Sequence, residues 1–270
     1  MSIETRARPI IYLVVFIVVG LPLVYPLGLP IGASEYSLNY YIEIQSLPED
    51  SIVIMNYDIE ATGWDELKSQ VIATVKHLMA RPVKILFVSD HVLGAAFVEK
   101  TLDLVRSHIN SNGKEYGIDY VILGYLPGEA AVAAMATDFH QLITVDYYGN
   151  SVAGTFLDDI VDGSDIQMVV SIDSFSGIGP YINHFYLKYG TTLLEGCLGG
   201  MIPGAINTYQ VGQIQGLLGG IPGGAEYEYL TGYPGEGIKS TDAVSLIHLM
   251  GIGMIVLGNV VYFRKKSGGN

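Results

Sequence analysis

Asp58, Asp90, His91 and Asp173 are the side chains best placed to do chemistry, because each stands at the end of an apolar run that reads as a strand. Asp90 and His91 can pair as acid and base, or join Asp58 and Asp173 around a divalent cation. Asn56, Ser89, Tyr125, Glu129, Ser174 and Ser176 reach the same ends of their runs, and Glu129, Ser174 and Ser176 complete the candidate ligand-binding set. A local alternative is open for two of them. Asp58 and Asp90 both precede helices and can serve as turn or cap residues. The segment Ser174-Phe-Ser-Gly-Ile-Gly-Pro180 joins a strand to a helix, where backbone amides can hold an anion.

The missing motifs bound this chemistry. The dinucleotide fingerprint lacks its third glycine and its spacing, and there is no phosphate loop, nucleophile elbow or zinc helix. The single Cys197 excludes an intramolecular disulfide and a multi-cysteine metal site. No metal and no cofactor is expected. His77, His108, His140 and His184 fall on predicted helices, on exposed or half-buried faces. His248 differs because it lies in an apolar run, where an ionisable group marks function or a hydrogen bond to a neighbouring helix.

The elements that must position these residues alternate. Strands are predicted at 51–57, 84–89, 119–124, 167–172 and 191–197, with helices at 64–79, 95–109, 129–142 and from about Pro180. Short apolar strands alternating with helices predict an α/β fold: a doubly wound, Rossmann-like, mostly parallel sheet. A short helix at 34–47 carries Tyr36, Tyr40, Tyr41, Ile44 and Leu47. Ligands in such sheets bind beyond the carboxyl ends of the strands, where strand order reverses.

Two apolar runs flank this domain. Ile10–Val24 continues weakly to Ile31 through Pro22, Pro26 and Pro30, and Ala243–Phe263 is interrupted by Ser245, His248 and Asn259. About 20 residues span a bilayer as a helix, so N- and C-terminal transmembrane helices are expected. The alternative for the first is a cleaved signal peptide, with Ile31-Gly-Ala33 as the cleavage site; an uncleaved anchor is preferred because of the prolines. Arg6 and Arg8 beside the first run, and Arg264-Lys265-Lys266 after the second, place both termini in the cytoplasm and the domain outside it, in the cell membrane. The expected divisions are 1–31, 32–195, a connector at 196–240, 241–263 and a basic tail at 264–270. Over residues 32–240, 25 acidic residues face 9 basic ones, which argues against nucleic acid or anionic lipid headgroups as partners.

The connector begins a stretch, 196–237, that holds 13 of the 33 glycines. Gly212, Gly216 and Gly220 recur at a spacing of four, which on a helix lines one face. Glycine costs a helix about 1 kcal/mol against alanine, so such a stripe implies close packing. With His248, Gly251 and Gly258 in the second run, it predicts self-association into a homo-oligomer or with other membrane subunits.

Leu123-Gly-Tyr-Leu-Pro-Gly-Glu129, Asp146-Tyr-Tyr-Gly149, Gly212-Gln-Ile-Gln-Gly-Leu-Leu-Gly-Gly220 and Gly224-Ala-Glu-Tyr-Glu228 resemble strings in a family of uncharacterised, membrane-anchored prokaryotic proteins. That resemblance implies two terminal spans around an α/β domain and no activity. The Gln-x-x-Gly rhythm is similar to the late helices of extracytoplasmic solute-binding proteins. Three functions are therefore expected, in this order. The first is a non-enzymatic membrane subunit that self-associates through glycine-lined helices. The second is a membrane-tethered small-ligand or cation-binding module, and the third a hydrolase using Asp90, His91 and Asp173.

Overall fold

The computed structural model describes residues 3–25, 27–175 and 177–267. An N-terminal helix, α1 (Ile3–Val24), leads through an extended segment to α2 (Glu35–Gln45) and then to the sheet. Its strands are β1 (Ile52–Asp58), β2 (Lys84–Ser89), β3 (Tyr120–Tyr125), β4 (Ile166–Asp173), β5 (Thr192–Cys197) and β6 (Gly216–Gly219). All six run parallel in the order β3-β2-β1-β4-β5-β6. This is a doubly wound order, whose reversal falls between β1 and β4. Every position of β1 is buried, as a central parallel strand requires.

Helices cover both faces. One face carries α2, α3 (Trp64–Met79), α4 (Gly94–Leu104), α5 (Arg106–Ser111) and, past β6, α11 (Gly220–Thr231). The other carries α6 (Gly128–Thr137), α7 (Phe139–Leu142), α8 (Gly179–Tyr181), α9 (Leu187–Tyr189) and α10 (Ile202–Gln210), with a π turn at Ile182–Tyr186 between α8 and α9. The predicted stripe of α3 (Leu67, Val71, Val75 and Leu78) is fully buried against the sheet. His77, expected on an outer face, is buried too. It bonds Tyr227 Oη (2.7 Å) and Gln45 Oε1 (2.9 Å), stacks on Tyr41, and is held down at about 4 by burial and then by Arg81.

The glycine-rich stretch departs most from expectation. Gly212 (φ 78) closes α10, Gly216 opens β6 and Gly220 (φ 56) starts α11, so the three share no helix face. The four-residue spacing spans a helix end, a strand and a second helix start. At Gly216 a Cβ would lie 2.4 Å from Tyr40 Cα and 2.5 Å from Tyr40 N. The close neighbour is therefore the backbone of the chain's own α2.

The final helix, α12 (Glu236–Ser267), is long and apolar enough over Glu236–Arg264 to cross a membrane, with a mean hydropathy of 2.0. The expected pair of terminal spans reduces to this one among the described residues. In α1 the stretch Arg8–Val24 is apolar but shorter than a span. The two helices pack together. Three carboxylates join them to the domain through backbone amides. Asp242, fully buried, accepts from Leu27 N (2.7 Å), Gly28 N (3.1 Å) and Leu29 N (3.2 Å). Glu226 accepts from Ser34 N and Oγ, and Glu228 from the amides of Gly235, Gly237 and Ile238.

Candidate ligand site at the carboxyl edge

Side chains alternate between the faces of a strand, and here one parity turns polar at the carboxyl end of four adjacent strands. In β1, Ile52 and Ile54 give way to Asn56 and Asp58; in β4, Val169 gives way to Ser171 and Asp173. In β5, Leu193 gives way to Glu195, and Asp90 follows Leu86 and Val88 of β2. The register aligns Asn56 with Ser171, Asp58 with Asp173, and Ser171 with Glu195. All these polar residues point toward the layer of α6 to α10. Asn56, Ser171 and Asp173 are fully buried, and Asp58 and Glu195 nearly so.

A hydrogen-bonded chain runs through this layer. Asn56 Nδ2 donates to Ser171 Oγ (2.9 Å), and Ser171 Oγ donates to Asp173 Oδ1 (2.7 Å). Asp173 Oδ2, Asn56 Oδ1, Asp90 Oδ1 and the Tyr181 hydroxyl are buried without a partner. Each such atom costs the fold about 1–3 kcal/mol, and a single site that gathers four of them is expensive to maintain. Burial, then Glu195 and Asp90, holds the Asp173 carboxyl well above the usual range. Burial raises Glu195 to about 7, and burial with Asp58 beside it raises Asp90 to about 6. Burial, then Asp90, Asp173 and Asp58, pushes the Tyr181 hydroxyl far up. Cys197, also raised by burial first, stays a thiol and is no nucleophile.

Glu195 is the member that reaches open space. It lies at the floor of a cleft of about 380 Å³ between the loop before α8 and α10, walled by Gly177, Ile178, Ile182, Met201, Gly204 and Ala205. The switch point between β1 and β4 is closed instead. Ser174 Oγ donates to Asp58 O (2.9 Å) and accepts from Glu60 N (2.8 Å), while Ser174 N donates to Asp58 O (2.7 Å). Where a doubly wound fold receives a pyrophosphate, this chain has sewn its own loops together.

The structure thus sorts the candidates. Asp58, Asp90 and Asp173 come together, whereas Ser174 latches two loops and is not free to meet an anion. Ser176 lies outside the described residues. His91 Nδ1 accepts from Leu93 N (3.2 Å) and serves its own loop, so the expected Asp90–His91 acid–base pair does not form. Glu129 sits apart at the start of α6, where Asn183 (3.2 Å) and then His184 (3.0 Å) pull its carboxyl below the usual value. Gly63 and Leu93 hold the cap positions of α3 and α4 with no side-chain cap bond, so Asp58 and Asp90 are not helix caps. Among the described residues no three His, Cys, Asp or Glu side chains are placed to hold one metal ion. The divalent-cation grouping therefore does not form among them.

Glu195, Ser171 and Tyr181 were not among the sequence candidates. Glu195 did leave a signal, since it is an acid inside an otherwise uncharged strand, Thr191-Thr-Leu-Leu-Glu-Gly-Cys197. No protein-family profile matches the chain, and neither curated proteins nor solved structures show a significant similarity to it. Its function is read from this geometry.

Proposed function

We propose that the chain is a membrane-tethered module that binds a small ligand in the cleft above Glu195. The observation that carries this reading is the unpartnered, fully buried Asp173 Oδ2 beside Glu195, the one acid among the described residues that lines the cleft. The ligand that fits has an apolar body for the Ile178, Ile182 and Met201 walls. It also carries a donor, an ammonium above all, for the carboxyls. An ammonium compensates the charge that Glu195 acquires near pH 7 and so binds better above that pH than below it.

In this reading both terminal helices cross the cell membrane. The basic residues Arg6, Arg8 and Arg264-Lys265-Lys266 stay cytoplasmic, and the domain lies outside. The short apolar part of α1 is supported by its packing on α12.

The test is a thermal shift of the detergent-solubilised full chain at pH 8, with a panel of small alkyl and aryl amines. A ligand at one hundred times its Kd stabilises by about 2.7 kcal/mol, or roughly 5–10 °C for a domain of this size. The shift is expected to vanish in Glu195→Gln. A panel without effect, or a shift that Glu195→Gln retains, sinks the proposal.

A second reading is favoured by one feature of α12. Nothing lies within 4 Å of a Cβ built on Gly251 or Gly258, which share one face of the helix, and His248 nearby is exposed. Such an open small-residue face suits pairing with a second copy in the bilayer. Gly251→Leu with Gly258→Leu is expected to leave the domain folded and to convert an oligomer to monomer in mass measurements. A monomeric parent chain rules this reading out.

A further inference from the structure

The direction in which the chain leaves the domain is fixed by side-chain contacts. Tyr40 of α2 packs over Gly216, at the amino end of β6. Ser34, at the start of α2, lines one cleft with Gly219 at the carboxyl end and is bound by Glu226. α2 therefore enters the domain at the carboxyl edge of the sheet. α12 begins at the far end of α11, where Glu228 holds the amides of Gly235, Gly237 and Ile238, and runs back beside α11 past Ala225. Asp242 then meets Leu27–Leu29, and Ala243 is the last buried residue of α12 before Val244 emerges. Both terminal helices leave at the carboxyl edge.

The same edge exposes large apolar side chains in two loops. Val92 (67%) and Leu93 (45%) follow β2, and Phe175 (74%) follows β4. Because β1 separates β2 from β4, the two loops stand about 10 Å apart, two strand spacings. Single exposed apolar residues are ordinary on any surface, and Val161 at the opposite edge is one. What distinguishes Val92, Leu93 and Phe175 is that they point the way the helices leave.

We propose that the carboxyl edge of the sheet rests on the outer leaflet, with Val92, Leu93 and Phe175 inserted among the lipid chains at the interface. The contact is apolar, since a domain with 25 acidic and 9 basic residues gains nothing from anionic headgroups. It rests on the reading that α12 spans the membrane. It also makes the cleft above Glu195 open beside the bilayer, so the cleft's ligand is reached along the membrane surface.

The experiment uses the full chain in phosphatidylcholine nanodiscs whose acyl chains are brominated near the headgroup. Trp64, the one native tryptophan, is buried against Phe97 and serves as the unquenched reference. Separate F175W and V92W variants are expected to lose emission to the brominated lipid, while V161W and the parent chain keep theirs. I255W, in the middle of α12, is the control for spanning and is quenched by lipid brominated near the chain end. Unquenched F175W and V92W with a quenched I255W overturn this inference alone. Quenching of V161W together with F175W overturns it as well, since the domain then lies on its side. An unquenched I255W overturns the membrane reading and this inference with it.

Discussion

The Gly216→Leu chain is expected to yield no folded domain. A Cβ at this position falls within 2.4–2.5 Å of the Cα and N atoms of Tyr40, and backbone atoms of a packed helix have no rotamer by which to retreat. Ordinary overpacking costs about 1–3 kcal/mol; here even Gly216→Ala must push α2 off β6 and costs more than that. Tyr40 would move with its helix, breaking its hydroxyl contact with Thr74 (3.1 Å) and its edge contact with Tyr227. Soluble yield and circular dichroism are the measurements, and a Gly216→Leu chain that melts like its parent would refute the close approach. Gly212→Ala is the comparison. Its Cβ meets nothing within 4 Å, so it bears only left-handed strain, about 1–2 kcal/mol. An assembly lost in Gly216→Leu therefore says nothing about neighbouring copies until folding has been checked.

Glu195→Gln is expected to match the parent's stability at pH 4.5 and to exceed it by about 3 kcal/mol at pH 8. The sign follows from linkage. Glu195 titrates near 4.5 when unfolded and at about 7 when folded, so the folded state binds the extra proton. Its stabilising contribution is complete below pH 4.5 and lost as pH rises to 7. The 2.5-unit interval is worth about 3 kcal/mol at 1.36 kcal/mol per unit. Asp90, raised to about 6, pulls in the same direction. His77, lowered from 6.5 to about 4, opposes them, since its unfolded form gains the proton first and stability rises with pH between those values. His77 therefore offsets only part of the loss between those values, and the difference between variant and parent isolates Glu195. Paired melts from pH 4.5 to 8 provide the measurement. A difference that does not change with pH would show that Glu195 titrates normally.

These two sites also show what could be read from the chain alone. Strands β1 to β5 stood out because each is a run of apolar residues bounded by polar or turn residues, and α3 because its stripe is clean. Asp58, Asp90 and Asp173 were legible as strand-end acids. Which of them would meet was not, because that depends on strand order and on parity. Once β1 lies beside β4, every second residue counted back from Asp58 and Asp173 falls on one face, and Asn56 and Ser171 join them. Tyr181 was hidden in a helix, and Glu195 inside a strand that reads as core. β6 escaped because Gly216-Leu-Leu-Gly219 has two apolar residues and no alternation to detect. Its strand character comes from pairing with β5, a tertiary effect that outweighs glycine's poor strand propensity. The spacing of four among Gly212, Gly216 and Gly220 suggested helical periodicity in a stretch whose glycines serve separate turns and contacts.

The Asp242 clamp sets a timetable for synthesis. Its carboxylate and the Leu27 amide are 215 residues apart, so the clamp closes only once residue 242 has been made. At about 5–20 residues per second, that is on the order of 10–40 s after α1 emerges. Through this interval α1, with its short apolar segment, has neither its clamp nor its helical partner. The N-terminal helix is fixed in place only after every residue of the domain has been made.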